Sequence, residues 1–155
     1  MIYQKAIDWE LIIIGDGPER KNLEDLVKRW KLQRISFVGY TSDVGRYYQE
    51  ASIICLTSAF EGFPLCLTEA QAYGVIPVAF NVSEGVEEII GNSGENGILL
   101  PVGSVRRFAK ELLALMGDEK RLCRMKKNVQ EKVKNYDPDF IGNKWLSLFK
   151  SLLTP

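Results

Sequence analysis

Short apolar runs alternate with segments of helical periodicity along most of this chain, and this alternation constrains the fold more than any other feature. Each run has four or five residues, is rich in isoleucine, leucine and valine, and is too short for a buried helix. The runs predicted as strands are residues 11–15, 35–39, 53–56, 76–80 and 97–100. Buried strands separated by helices form a parallel sheet that is covered on both faces. The sequence therefore predicts an α/β fold with a doubly wound parallel sheet.

The intervening segments carry apolar residues at helical spacing, which predicts seven helices after the first strand. These are residues 19–31, 43–50, 65–73, 86–90, 105–116, 120–134 and 140–153. The N-terminal residues 2–9 indicate a partial helix or loop with no strand before it. No internal repeat or linker interrupts the pattern, so residues 1–155 are expected to form a single domain.

The composition excludes several functional classes. Twenty basic residues balance twenty acidic ones, so the overall charge does not favour nucleic acid as a partner. The chain has no histidine, which rules out a Ser-His-Asp triad and any imidazole base. Its three cysteines, Cys55, Cys66 and Cys123, form no CxxC pair, so neither a zinc site nor a disulfide framework is expected. These features favour a reducing, cytoplasmic setting.

Two glutamates flank a predicted transition from loop to helix. Glu61 lies before the helix predicted at 65–73, and Glu69 lies one to two turns inside it. Pro64 is well suited to a helix start. The first helical amides would then be free, and they belong to Leu65, Cys66 and Leu67. A helix N-terminus carries about half a unit of positive charge and suits a phosphate, whereas a carboxylate accepts hydrogen bonds from a vicinal diol. Together these groups match a nucleotide diphosphate sugar.

The surrounding residues resemble a known family motif. Glu61-Gly-Phe-Pro, followed by Glu69-Ala and Pro77-Val, looks like the E-x7-E motif of retaining GT-B glycosyltransferases, the glycosyl transferases group 1. Further similar blocks follow in the family's order: Gly15-Asp-Gly-Pro-Glu19, Phe37-Val-Gly39, Gly85-Val-Glu-Glu-Ile-Ile90 and Asn96-Gly97. The resemblance covers nearly all of residues 10–150. It implies the C-terminal, Rossmann-like, donor-binding half of a two-domain enzyme.

The resemblance also implies roles for individual residues. Glu61 would be the catalytic residue that contacts the donor hexose, and Glu69 would hold the ribose hydroxyls. The residues covering the sugar and diphosphate would be Gly62, Phe63, Leu65, Cys66 and Leu67. The nucleobase would lie near Val38, Gly39 and Tyr40, although a surface aromatic is an equally good interpretation of Tyr40. The implied reaction transfers a hexose with retention, needs no metal or other cofactor, and uses the leaving diphosphate to deprotonate the acceptor.

The resemblance further implies partners outside these residues. An acceptor-binding N-terminal domain, the first strand of this domain, and the Arg and Lys that hold the diphosphate would precede residue 11. The chain alone is therefore expected to bind donor weakly and not to transfer sugar. The acceptor would be a sugar or a lipid-linked sugar in surface polysaccharide or glycolipid assembly. Attachment to the inner face of the membrane remains open beside a purely cytoplasmic location.

Other interpretations remain open at this stage. A non-catalytic nucleotide-binding or nucleotide-sugar-binding module would need the same pocket, and a sugar epimerase of similar architecture is a weaker alternative. Asp137-Pro-Asp139 matches the metal-binding DxD pattern, but capping of the last helix is the preferred interpretation. The basic residues of 120–134 suit a solvated helix better than a membrane-binding face.

Overall fold

A computed structural model describes residues 2–153, and the chain divides into two compact units. The first unit extends to Gln49, and the second begins at Glu50. All the strand pairs within the two units are parallel, which confirms the α/β class. Where the sequence predicts one sheet, the described strands form two hydrogen-bonded ladders, one in each unit.

The first unit holds a two-stranded ladder. Its elements are α1 (Ile2–Lys5), β1 (Leu11–Ile14), α2 (Arg20–Arg29), β2 (Ile35–Gly39) and α3 (Gly45–Glu50), which reaches the unit boundary. In the ladder, Leu11 lies opposite Ile35, and an irregularity follows Ile13. Leu11 is 47% exposed and Ile12 39% exposed, although the sequence predicts a buried strand here. Within residues 2–153, β1 pairs only with β2, and the elements packed on its faces leave its first two side chains partly uncovered.

The second unit holds a three-stranded ladder in the order β3-β4-β5. Its elements are β3 (Ile53–Leu56), α4 (Leu65–Ala72), β4 (Ile76–Phe80), α5 (Glu84–Ile90), β5 (Ile98–Leu100), α6 (Val105–Met116), α7 (Glu119–Lys132), a 3-10 turn (Val133–Tyr136) and α8 (Pro138–Leu153). All five residues of the central strand β4 are buried. Since alternate side chains point to opposite faces, both faces of β4 are covered, as expected for a parallel sheet.

The core that supports the loop after β3 lies between β4 and two helices. It consists of Leu67, Ala79, Val86, Ile89 and Ile90, all fully buried. These residues come from α4, β4 and α5. A displacement of α4 or α5 would therefore disturb the same cluster.

The last helix, α8, has an exposed apolar face. The sequence gives α8 a continuous apolar face, yet its large apolar side chains are exposed. They are Trp145, Leu146, Leu148, Phe149, Leu152 and Leu153. The described part of the chain packs the start of α8 against the 3-10 turn and leaves these side chains uncovered.

Candidate functional site

The candidate site is built on the loop between β3 and α4 (residues 57–64, here the Glu61 loop). It begins at the carboxyl end of β3 and ends at the N-terminus of α4. In parallel α/β sheets, ligands bind beyond the carboxyl ends of the strands. Both glutamates that the sequence singles out lie here, Glu61 in the loop and Glu69 in the helix.

The helix α4 has a buried face and an outward face. Leu67, Ala70 and Gln71 are fully buried against the core. Glu69 is exposed and shares its face with Leu65, which is four residues earlier in the helix. Because the opposite face of α4 is buried, the Glu69 carboxylate points to solvent. It lies on the face that carries Leu65 in the first turn.

The N-terminus of α4 differs in one respect from the sequence prediction. Pro64 occupies the N-cap position, so no side chain caps the helix. The amide of Leu67 donates to the carbonyl oxygen of Pro64 at 3.0 Å. The prediction of a free Leu67 amide is therefore wrong, because the first turn closes tightly on the proline carbonyl. Within the described residues, the Leu65 amide remains as an unused donor of this first turn, whereas the Cys66 amide interacts with its own thiol sulfur.

The thiol of Cys66 reports where the two carboxylates lie. Burial raises the pKa of the Cys66 thiol, and the negative charges of Glu61 and Glu69 raise it further. The charges of both carboxylates therefore act on the first turn of α4. The same surroundings keep the thiol protonated, so Cys66 is not an activated nucleophile.

The two glutamate side chains have no polar partner in the part of the chain that the structure describes. The carboxylates of Glu61 and Glu69 make no hydrogen bond or ion pair there. Each carboxylate can therefore accept hydrogen bonds from the hydroxyls of a ligand. Unpaired carboxylates beside an uncapped helix N-terminus are suited to a ligand that carries both diols and phosphates.

Exposed apolar side chains lie close to Glu61 along the chain. Phe60 is 84% exposed and Leu65 is 63% exposed, and Phe63 is partly exposed. The sequence motif singles out Phe63 and Leu65 but gives no role to Phe60. Its position directly before Glu61 is the only sequence signal for it. These side chains offer an apolar surface against which the face of a sugar ring could pack.

The residues predicted near a nucleobase belong to the first unit. The Gly39 carbonyl accepts from the Gly15 amide at 2.8 Å, and Gly39 has a φ of +81°. The guanidinium of Arg20 donates to the Phe37 carbonyl at 3.4 Å and to Glu24 at 2.9 Å. Arg20 thus orders this turn, a role that periodicity alone did not reveal.

The three residues keep their predicted place at the end of β2. Val38 and Gly39 are its last residues, and Tyr40 follows it. Tyr40 is 85% exposed, which is compatible with stacking on a base and with an ordinary surface aromatic. The nucleobase role therefore stays a prediction.

One of the weaker sequence signals, Asp137-Pro-Asp139, has a structural role. Asp137 Oδ1 accepts from the amides of Asp139 and Phe140, so capping of α8 is confirmed. Among residues 2–153, no three cysteine, aspartate or glutamate side chains are grouped so as to hold a metal ion. No helix in this described range has the length and hydropathy needed to cross a bilayer.

Phe63 is supported by an aromatic side chain from a distant part of the chain. The rings of Phe63 and Tyr136 meet edge to face, with centroids 5.7 Å apart. The Tyr136 hydroxyl donates to the Glu88 carbonyl at 3.1 Å. Burial raises the pKa of Tyr136 to about 12, and the Glu88 charge adds to the effect. The sequence interpretation missed Tyr136 because 73 positions separate it from Phe63.

This environment predicts a late titration of Tyr136. The fold favours the neutral phenol, so the environment of Tyr136 adds to the free energy of unfolding while the phenol is protonated. This contribution is fully present below pH 10, the ordinary tyrosine pKa, and is lost as the pH rises through about 12. The ultraviolet absorbance of the phenolate, taken as the difference between the wild-type chain and Tyr136→Phe, measures the midpoint directly. A midpoint near 10 would show that the hydroxyl is solvated like that of a free tyrosine.

Comparison with known proteins adds evidence that is independent of this geometry. The family model described as glycosyl transferases group 1 matches residues 2–132. An uncharacterized glycosyltransferase of Haemophilus influenzae is 34% identical over 146 residues, which cover 94% of this chain and 41% of that protein. The chain thus spans less than half of that relative.

Two solved structures have the same fold. The C-terminal domain of a glycosyl transferase group 1 family protein from Francisella tularensis is 28% identical, with a TM-score of 0.77 over 86% of this chain and 72% of that one. The Anabaena protein HepE, solved in complex with UDP-glucose, is 23% identical, with a TM-score of 0.81 over 97% of this chain and 44% of that one.

Proposed function

This chain belongs to the glycosyl transferases group 1, and from that membership we propose that it is the donor-binding part of a retaining hexosyltransferase. The donor in this proposal is a nucleotide diphosphate sugar. Its hexose passes to a sugar or lipid-linked acceptor with retention at the anomeric carbon. The work of this chain is to bind the donor and to stabilise the leaving diphosphate.

One observation supports the proposal most directly. Glu61 lies in the loop before α4 and Glu69 lies within α4, and both carboxylates are unpaired within residues 2–153. Such carboxylates can accept hydrogen bonds from ligand hydroxyls while a phosphate meets the uncapped helix N-terminus.

The proposed roles follow the order of groups in the donor. Glu69 holds the ribose hydroxyls, and Glu61 contacts the hexose as the catalytic residue. Of the amides assigned to the sugar and diphosphate, those of Gly62 and Phe63 are nearest the sugar in this proposal, and those of Leu65 and Cys66 are nearest the diphosphate. The Leu67 amide is omitted because it donates to Pro64. The end of β2, at Val38, Gly39 and Tyr40, is assigned to the nucleobase.

The proposed mechanism places the electrostatic work on the diphosphate. Negative charge develops there as the bond to the hexose breaks, and the N-terminus of α4 stabilises it. The departing phosphate oxygen takes the proton of the acceptor hydroxyl, and the acceptor oxygen forms the new bond to the anomeric carbon. Glu61, whose carboxylate lies at the hexose, orients the sugar through hydrogen bonds. No step in this scheme needs a metal.

The domain organisation forms part of the same proposal. Residues 1–155 act as a single donor-binding domain, while the acceptor-binding domain and a further strand come from elsewhere in the complete enzyme. The 41% coverage of the Haemophilus relative supports this, as does the incomplete cover on β1. The three cysteines are free, which suits a cytoplasmic enzyme of polysaccharide or glycolipid assembly, with peripheral attachment at the membrane as an extension.

The test is a titration of the 155-residue chain followed by amide chemical shifts. UDP, GDP and ADP are compared, each with a hexose conjugate. We expect one base to shift the amides of Leu65 to Glu69 at up to millimolar concentration, with further shifts at Gly62 and Phe63 for the conjugate. Transfer to an acceptor should not exceed a protein-free control. Amide shifts that stay unchanged with every ligand would contradict donor binding. Shifts that are the same with and without the hexose would favour a nucleotide-binding module.

A further inference from the structure

Ser83 links the Glu61 loop to the start of α5. Its hydroxyl donates to the Gly62 carbonyl at 3.0 Å and accepts from the Val86 amide at 3.3 Å. A serine hydroxyl has one proton, so the single donor of Ser83 is committed to the loop while a lone pair caps the helix. The backbone directly after Glu61 is therefore attached to the N-terminus of a helix that belongs to the core.

Gly85 adds a steric constraint to the same backbone. A methyl group at this position would overlap the Gly62 carbonyl oxygen and would lie 2.9 Å from the Gly62 carbonyl carbon. It would also lie 3.1 Å from the Phe63 Cα. The φ of Gly85 is not in the left-handed region, so this glycine is required by close approach and not by backbone conformation. The first turn of α5 and the loop are thus in direct backbone contact.

The residue after Gly62 is held as well. The Phe63 ring packs on Tyr136, and the Tyr136 hydroxyl is fixed on the Glu88 carbonyl of α5. Gly62 and Phe63 are therefore both anchored to α5, whereas the Glu61 side chain itself is without a partner in the described residues. A fixed backbone next to a free carboxylate is what a ligand-binding residue needs for preorganisation.

We propose that Ser83, assisted by Gly85, is the positioning residue for Glu61: its bond to the Gly62 carbonyl holds the Glu61 carboxylate where the donor hexose binds. The inference rests on the proposed donor-binding function. It assigns to Ser83 an effect on the hexose part of the ligand and not on the nucleotide part, which Glu69 and the α4 amides hold. Ser83 touches no ligand group in this proposal.

The test compares nucleotide and nucleotide-sugar affinity in the 155-residue chain. The pairs are UDP and UDP-glucose, GDP and GDP-mannose, and ADP and ADP-glucose. In Ser83→Ala, we expect the gain in affinity from the hexose to fall about threefold to tenfold, the equivalent of one hydrogen bond, while nucleotide affinity is kept. Ser83→Thr retains the hydroxyl and should restore the gain. Gly85→Ala, which forces the loop away, should reduce the gain at least as much as Ser83→Ala.

A matched control separates this effect from loss of any helix-terminal serine. The Ser104 hydroxyl donates to the Pro101 carbonyl at 2.6 Å before α6, and Ser104→Ala should leave the hexose gain unchanged. An unchanged gain in Ser83→Ala, or an equal loss in Ser104→Ala, would overturn the inference.

A measurement without ligand keeps this inference distinct from the proposed function. In Ser83→Ala, the carbon-13 resonance of the Gly62 carbonyl should move upfield, and amide exchange at residues 61–63 should accelerate. Ser83→Thr should reverse both changes. No change in either would overturn the anchoring of the loop. If the wild-type chain bound no ligand, the proposed function would fail, and the carbonyl shift would still decide whether Ser83 anchors the loop.

Discussion

Replacing Glu69 with alanine is expected to remove nucleoside diphosphate binding from the measurable range. In the proposed complex, this carboxylate accepts two hydrogen bonds from the ribose diol. Each hydrogen bond to a charged group contributes about 1.5–3 kcal/mol, so losing both raises Kd by about 100-fold or more. Glu69→Gln keeps the length and one neutral acceptor and should give an intermediate loss, because neutral hydrogen bonds are roughly half as strong. Calorimetric or NMR titration with UDP, GDP and ADP measures the effect.

The exposure of Glu69 makes this prediction easy to interpret. Substitution of an exposed helix residue changes the free energy of unfolding by no more than about 0.5 kcal/mol, so lost binding would not reflect unfolding. Glu119, exposed in the first turn of α7, supplies a matched control. Glu119→Ala should bind as the wild-type chain does. Full binding by Glu69→Ala would remove the ribose role from this residue.

Replacing Leu67 with alanine is expected to give the largest loss of stability in the second unit. Leu67 is fully buried in the cluster formed by α4, β4 and α5. Removing a buried leucine side chain costs about 2–5 kcal/mol, depending on how far the cavity collapses. That loss is a large share of the total of about 5–15 kcal/mol typical of a folded domain. Urea unfolding, followed by circular dichroism, measures the change.

Leu65 provides the control on the same helix. It is 63% exposed, two residues before Leu67, so Leu65→Ala should change the unfolding free energy by about 0.5 kcal/mol or less. Hydrogen exchange at the Val78 amide in β4 would localise the effect to the second unit. We expect faster exchange by about 30-fold or more in Leu67→Ala and little change in Leu65→Ala. Equal effects of the two substitutions would mean that α4 does not anchor the core.

The elements with the strongest local signal agree best with the sequence prediction. The strand Ile76–Phe80 and the helix Val105–Met116 have the predicted bounds. In the strand, a continuous apolar run follows Gly74, and in the helix, apolar residues recur at helical spacing and end before Gly117. A local sequence pattern predicts the bounds of an element when the tertiary packing around it favours the same structure.

The placement of the two glutamates was also predictable, but their surroundings were not. Glu69 follows Leu65 by four positions, so these two residues lie on one face of the helix. Pro64 marks the helix start. The engagement of the Leu67 amide with Pro64 depends on how tightly the first turn closes. Ser83 lies 21 residues after Gly62, and no periodicity connects them. Its contact exists because α5 begins beside the loop once β4 has passed through the core.

Exposure was the property that the sequence described least well. Leu11 in β1 and Trp145 in α8 belong to apolar patterns typical of buried elements, yet both are about half exposed. Hydropathy predicts which face would be buried if a neighbour were present. Hydropathy does not reveal whether another helix or strand of the same chain packs against that face.

The sequence by itself determined the α/β class, the order of elements and the position of Glu61 and Glu69 at a loop and a helix start. These depend on residues close in the chain, whose backbone preferences and spacing act locally. Only the tertiary structure decided which carbonyl the Ser83 hydroxyl meets, why Gly85 must lack a side chain, and which apolar faces stay open. Those features depend on distances between residues far apart in sequence, and these distances are fixed only when the helices pack on the sheet.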